Sequence, residues 1–120
     1  MPTRARLDEF IAVVVSGDHA GAIERYYTED ATMQENAAAP RVGRDLLVAQ
    51  ERATLERVKS VTSTCVSVIH EGDRVAINWV FDFTYLSGRT ALIDEVALQE
   101  WRGDRIFRER FFYDPPKKAG

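Results

Sequence analysis

Apolar positions in the first third of the chain recur at helical spacing. Leu7, Phe10, Ile11, Val14 and Val15 predict a helix that stops at Ser16-Gly17-Asp18, where Gly suits a helix end and Asp18 can cap the next helix. That second helix is predicted from about His19 to Tyr27, with Ile23, Tyr26 and Tyr27 as its bulky residues. Ala31 to Asn36 reads as a short strand that ends in the small-residue loop Ala37 to Arg41 around Pro40. Beyond Gly43 a third helix, Arg44 to about Val58, carries Leu46, Leu47, Ala53 and Leu55. From Ser60 onward, long β-branched and aromatic stretches are broken by turn signals at Glu71-Gly72-Asp73, Ser87-Gly88 and Arg102-Gly103-Asp104. They predict four antiparallel strands: Ser60 to His70, Arg74 to Leu86, Arg89 to Trp101 and Arg105 to Tyr113.

Helices first and long hairpin-linked strands afterwards define an α+β class with the helices on one face of the sheet. Alternation then sorts each strand into two faces. In the second long strand Trp79, Phe81, Phe83 and Tyr85 share one face, and Asn78, Val80, Asp82 and Thr84 the other. A one-sided sheet turns the aromatic face inward.

At 120 residues the chain has room for one domain, expected over 1–114, with a loose tail over 115–120 that carries Pro115-Pro116-Lys117-Lys118. The net charge of −3, with 16 Lys and Arg interspersed among 19 Asp and Glu, argues against nucleic acid, which needs clustered cations. The longest apolar run, Phe10 to Val15, is far too short to span a membrane. With no charged, apolar and small-residue succession at the start of the chain and a lone Cys65, the expected setting is the reducing cytoplasm. Cys65 and the two distant histidines, His19 and His70, offer no metal-ligand spacing, so neither metal nor cofactor is expected. Both histidines are placed at the surface, and Cys65 reads as a packed small hydrophobe.

Tyr26-Tyr27-Thr28-Glu29-Asp30-Ala31-Thr32, then Gly43-Arg44-Asp45, and finally the run from Gly103 to Pro115 resemble the SnoaL-like polyketide cyclases, the ketosteroid isomerases and the wider nuclear-transport-factor-2-like superfamily. The resemblance implies a bent sheet closed by three helices into a conical small-molecule pocket, with the convex face joining a second copy. It also reverses the facing of the aromatic strand. Asn78, Val80 and Asp82 fall on the concave side with Glu95, Ala97, Gln99, Glu109, Phe111 and Tyr113, while Trp79, Phe81 and Phe83 form a convex homodimer interface.

Carried over residue by residue, the resemblance makes Glu35 the counterpart of the isomerase's general base and Tyr27 the counterpart of a supporting tyrosine. Phe10 and Ala97 occupy the places of its two oxyanion donors and cannot donate a hydrogen bond, which argues against steroid isomerisation itself. Asp82, Glu35 and Glu109 are thus the candidate catalytic carboxylates, and Tyr27, Asn78, Glu95, Gln99, Phe111 and Tyr113 the candidate ligand contacts. Six of these have a plainer alternative: a solvated Glu35, an outward Asp82, Glu95 and Glu109 paired with Arg105, Arg108 or Arg110, and Asn78 and Gln99 satisfying buried backbone groups. The expected function is cofactor-independent proton transfer, isomerisation or cyclisation on a small, largely apolar oxygenated substrate. Ligand binding without chemistry in the same pocket is the alternative.

Overall fold

The computed structural model describes residues 1–115, so the expected tail lies, from 116 on, outside the described residues. Helix α1 (Arg4–Val15) starts where Thr3 accepts a hydrogen bond from the Arg6 amide at 3.0 Å, and it buries Leu7, Phe10 and Val14. Asp18 accepts from the Gly21 amide at 3.0 Å and caps α2 (His19–Tyr26). That helix passes straight into β1 (Tyr27–Glu35), which begins four residues before the strand predicted from Ala31. Arg41–Val42, read from sequence as loop, adds the two-residue strand β2 at the sheet edge beside Thr32 and Met33.

Gly43 turns the chain into α3 (Arg44–Glu56) at φ 105°, a backbone conformation that side chains strongly disfavour. The four long strands come next as β3 (Val58–Glu71), β4 (Arg74–Tyr85), β5 (Thr90–Arg102) and β6 (Arg105–Phe112). The sheet order is β2-β1-β6-β5-β4-β3, antiparallel except where β1 runs parallel to β6. Register shifts in β1, in β3 between Cys65 and Ser67, and in β5 between Glu100 and Trp101 add local twist and bend to the sheet. The three helices cover its concave face. Between them sits the core: Leu7, Leu47, Val75, Ile77, Trp101 and Ile106 are all at most 1 % exposed.

The facing of β4 corrects the expectation carried over from the family resemblance. Val75, Ile77, Trp79 and Phe83 are buried against the helices, and Asp82 is exposed on the opposite face. Register and burial together require this. Trp79 lies opposite Glu95, Ile77 opposite Ala97 and Val75 opposite Gln99, and directly opposed residues share a face. Asn78 lies opposite Val96 on the outer face, where its amide donates to Asp94 Oδ1 at 2.8 Å and to the Glu95 carbonyl at 3.0 Å. Asn78 and Asp82 therefore cannot reach the cone, and the aromatic row on which the convex dimer interface rested lies inside it. The plain alternation of the strand points the right way.

Candidate functional site

Between the concave sheet and the helices lies a cavity of about 270 Å³. Its walls are apolar and largely aromatic. Phe10 comes from α1, Ile23 from α2, and Trp79, Phe81 and Phe83 from alternate positions of β4. Phe111 of β6 and, just beyond that strand, Tyr113 complete the sheet side. Into this lining project four carboxyl groups: Glu35 from β1, Glu51 from α3, Glu95 from β5 and Glu109 from β6.

Glu109 sits at the centre of a buried hydrogen-bond chain. The Tyr27 hydroxyl donates to its Oε1, and the Gln99 amide donates to its Oε2 at 2.6 Å. Trp101 Nε1 in turn donates to Gln99 Oε1 at 3.1 Å, which fixes which way the amide points. The backbone register explains the meeting: Glu109 lies between Met33 of β1 and Gln99 of β5. Burial lifts its carboxyl from the ordinary 4.5 to about 7, even though the bonds from Tyr27 and Gln99 pull the other way. Near neutrality Glu109 therefore exists as both acid and base. Burial, and next the Glu109 charge, hold the Tyr27 phenol well above its usual value, so it remains a donor.

Glu95 is only 9 % exposed, and its carboxyl group, among the described residues, makes no hydrogen bond or ion pair. Burial, followed by the negative charges of Glu109, Glu35 and Glu51, raises it to about 8. Glu35 differs: both its oxygens accept from Arg41 Nη2, at 3.0 and 2.8 Å, while Arg41 Nη1 donates to Gln50 Oε1 at 2.7 Å. That clamp leaves neither oxygen of Glu35 free of the guanidinium. Tyr113 is held over the rim by Asn36. The Asn36 amide donates to the Tyr113 carbonyl at 2.8 Å, and the Tyr113 amide donates to Asn36 Oδ1 at 3.0 Å.

The structure thus gathers Glu35, Glu95, Glu109, Tyr27, Phe111 and Tyr113 around one cavity, and it leaves Asn78 and Asp82 outside. Gln99 is fully buried behind Glu109 and does not line the cavity. The arginines offered as alternative partners are engaged elsewhere: Arg105 donates to the Tyr27 carbonyl, Arg108 pairs with Glu100, and Arg110 donates to the Asn36 carbonyl. Phe10 lines the cavity and Ala97 is fully buried, so neither supplies an oxyanion donor.

His19 corrects its surface assignment. It is buried on the helix wall, with Nε2 2.8 Å from Ser63 Oγ and Nδ1 3.6 Å from Glu51 Oε1, and its ring tilts over Phe81 at 5.2 Å between centroids. The signal is present in the sequence. His19, Ala22, Ile23 and Tyr26 form an i, i+3, i+4, i+7 stripe, and this is the buried face of α2. Arg41, Gln50, Glu51 and Thr54 of the rim escape sequence reasoning too, because nothing local marks which side of α3 faces the cone. Among the described residues no group of His, Cys, Asp and Glu is disposed to hold a metal ion, and no helix is long and apolar enough to cross a membrane.

With the cone and its lining established, comparison assigns the chain. The SnoaL-like domain family matches residues 7–109, and the chain belongs to it. No curated protein matches. Among solved structures, a protein of Mesorhizobium loti described as a SnoaL-like polyketide cyclase is 26% identical with a TM-score of 0.78, the match covering 94% of this chain and all of that one. A protein of Catenulispora acidiphila with a ketosteroid isomerase-like fold, in complex with trimethylamine, is 20% identical at a TM-score of 0.78 over 94% and 88% of the two chains. TerC, co-crystallised with polyporic acid, is 16% identical at a TM-score of 0.74 over 92% and 89%. At such identities the last two speak for the fold alone: an α+β cone of the nuclear-transport-factor-2-like kind.

Proposed function

We propose that this SnoaL-like protein is a cofactor-independent enzyme that moves a proton on a small, largely apolar oxygenated substrate, with Glu109 as the acid and base. The observation that carries this reading is the Tyr27–Glu109–Gln99 arrangement, a carboxyl group buried at the wall of an aromatic cavity with a donor on each oxygen. Such an arrangement fixes the carboxyl in place and poises it near neutrality, where proton transfer in both directions is fastest. In the forward step a Glu109 oxygen takes a proton from the carbon beside a substrate carbonyl, the C–H electron pair moves into the enolate, and Glu109 becomes the neutral acid. Return of that proton to another carbon completes an isomerisation, and attack of the enolate carbon on a second carbonyl, whose oxygen takes the new electron pair and then the Glu109 proton, completes a cyclisation. Tyr113 is the cavity-lining donor suited to the enolate oxygen. TerC with polyporic acid and the Catenulispora protein with trimethylamine support the reading that proteins of this fold bind small molecules.

Incubation with a panel of small apolar ketones in deuterated water tests the reading. Wild-type protein is expected to speed deuterium uptake beside the carbonyl of at least one panel member, and Glu109→Gln to leave it at the buffer rate. Uptake at the buffer rate across the panel, or equal rates in the two proteins, would overturn it. A protein that binds panel members without exchanging their protons would instead be the ligand-binding relative that the sequence also allows.

The homodimer belongs to the same proposal, on new residues. Leu92, Val96 and Phe112, 68 %, 40 % and 42 % exposed, point outward from neighbouring strands, with Val96 paired to Phe112. Asp82 of β4 lies opposite Leu92, Asp94 stands between Leu92 and Val96 on β5, and Arg108 and Arg110 precede Phe112 on β6, so a two-fold axis through the stripe can set acids against arginines. Sedimentation at micromolar concentration should report twice the chain mass of 13.6 kDa, and Val96→Glu should return it to that single mass. A wild-type monomer would remove the interface. With its lone Cys65 reduced, the protein is assigned to the cytoplasm.

A further inference from the structure

We infer that the ligand of the cone carries a cationic amine, protonated or quaternary, held between the Glu95 carboxyl group and the aromatic faces of Trp79 and Phe81. This rests on the reading of the cone as a small-molecule site and adds the charge class of what it holds.

The first ground is a polar group without a partner. Two of the other three carboxyls of the cavity are hydrogen-bonded within the protein, Glu109 by Tyr27 and Gln99 and Glu35 by Arg41, while Glu51 lies 3.6 Å from His19 Nδ1. Glu95, 9 % exposed, lines the cavity, and its carboxyl has no protein partner among the described residues. A carboxylate that opens into a largely apolar cavity and has no partner in the protein is disfavoured in its charged form, and a proton or a cation relieves that.

The second ground is the shape and electronics of the wall beside it. Trp79 stands directly opposite Glu95 on the neighbouring strand, and its ring stacks with Phe81 at 5.6 Å and 19°. The faces of such rings are electron-rich and attract ammonium groups, most strongly where water is excluded. The third ground is the sign of the field. The other titratable groups that line the cavity with Glu95 are Glu35 and Tyr27 of β1, Tyr113 just beyond β6, Glu109 of β6, Glu51 of α3, Arg41 of β2 and His19 of α2. Three of these are carboxyls that raise Glu95, and the one guanidinium is already clamped on Glu35. A neutral ligand leaves that repulsion in place, whereas a cation with an apolar body relieves it.

Binding of a permanent cation must then be linked to loss of the Glu95 proton. Since that proton leaves at about 8 in the free protein, cation affinity should climb about tenfold from pH 6 to 7 and level off above pH 8, roughly 100-fold from pH 6 to the plateau. A neutral ligand that accepts a hydrogen bond from protonated Glu95 shows the reverse trend.

The test uses the full chain and two probes of one shape: choline, and its neutral carbon isostere 3,3-dimethylbutan-1-ol. Calorimetric titration at pH 6, 7 and 8.5 should show choline tightening across the series and releasing close to one proton at pH 7, the release read from buffers of different ionisation enthalpy. Glu95→Gln should weaken choline at least tenfold at pH 8.5 and leave the isostere unchanged, which also shows that the variant folds. Equal affinity for the two probes at pH 8.5, choline binding that weakens as pH rises, or no choline binding at millimolar concentration would each overturn the inference. None of these outcomes bears on proton exchange by Glu109, which is read separately with neutral ketones.

Discussion

Glu95→Gln will stabilise the folded chain by about 4 kcal/mol at pH 8 and by under about 1 kcal/mol at pH 5. The reason lies in where the carboxyl releases its proton. In the unfolded chain Glu95 titrates near 4.5, and in the fold near 8. Below 4.5 both states hold the proton, and the fold loses nothing. Between 4.5 and 8 the unfolded chain gives it up while the folded chain keeps it, so stability falls with rising pH at up to about 1.4 kcal/mol per unit, and the fall ends above 8. Glutamine has the same shape and does not titrate, so the gap between variant and wild type must open over that window. Urea unfolding at pH 5, 6.5 and 8 measures it. The corresponding rise in melting temperature at pH 8 is roughly 10 °C or more. A gap independent of pH, or a variant less stable at pH 8, would mean that Glu95 is not held in a water-poor setting.

Glu109→Gln will have the largest effect on turnover. On any substrate that the wild type processes, kcat should fall about 100-fold or more with KM changed little, because the amide keeps the volume and the Tyr27 contact while removing the site that takes the proton. Tyr27→Phe should act more mildly and through the pH profile. Losing the bond that favours ionised Glu109 moves the profile's acidic limb upward from about 7. Glu35→Gln and Asp82→Asn serve as contrasts: the first disturbs a clamp at the rim, the second alters a residue outside the cone, and neither should approach the loss at Glu109. A Glu109→Gln variant with wild-type kcat would remove proton transfer by that residue.

Much of this architecture is legible in the sequence. The three helices, the four long strands and their turns emerge from spacing and turn chemistry, because those signals are local. Strand β1 reads four residues short, since Tyr27 to Asp30 carries no β-like alternation and is held extended by its pairing with β6, a contact distant in sequence. Strand β2 is only two residues long and exists by pairing alone.

The facing of β4 shows a different kind of failure. The residues themselves put Trp79, Phe81 and Phe83 inward, and transferring another protein's pattern one position out of step turns the whole strand over, as a one-residue slip must. Glu95 and Glu109 fall in the right place because their own strands are counted in step. Their distinction into a bonded and an unpartnered carboxyl is not visible in the sequence, as it depends on where Tyr27, Gln99 and Trp101 meet in space. His19 is lost for want of one step, laying the buried stripe of α2 on a helical wheel.

The most direct test of the central claim needs no substrate. Carbon-13 labelling of the glutamate side-chain carboxyls, with Glu95→Gln and Glu109→Gln to assign the two resonances, gives their titration midpoints in the intact protein. The structure predicts two carboxyls that titrate far from the rest, Glu109 near 7 and Glu95 near 8, with Glu95 moving downward when Glu109 is replaced, because that charge helps to raise it. Midpoints near 4.5 for both would contradict the account, since carboxyls ionised throughout the neutral range would be neither the poised acid and base nor the uncompensated group on which the cone's chemistry rests.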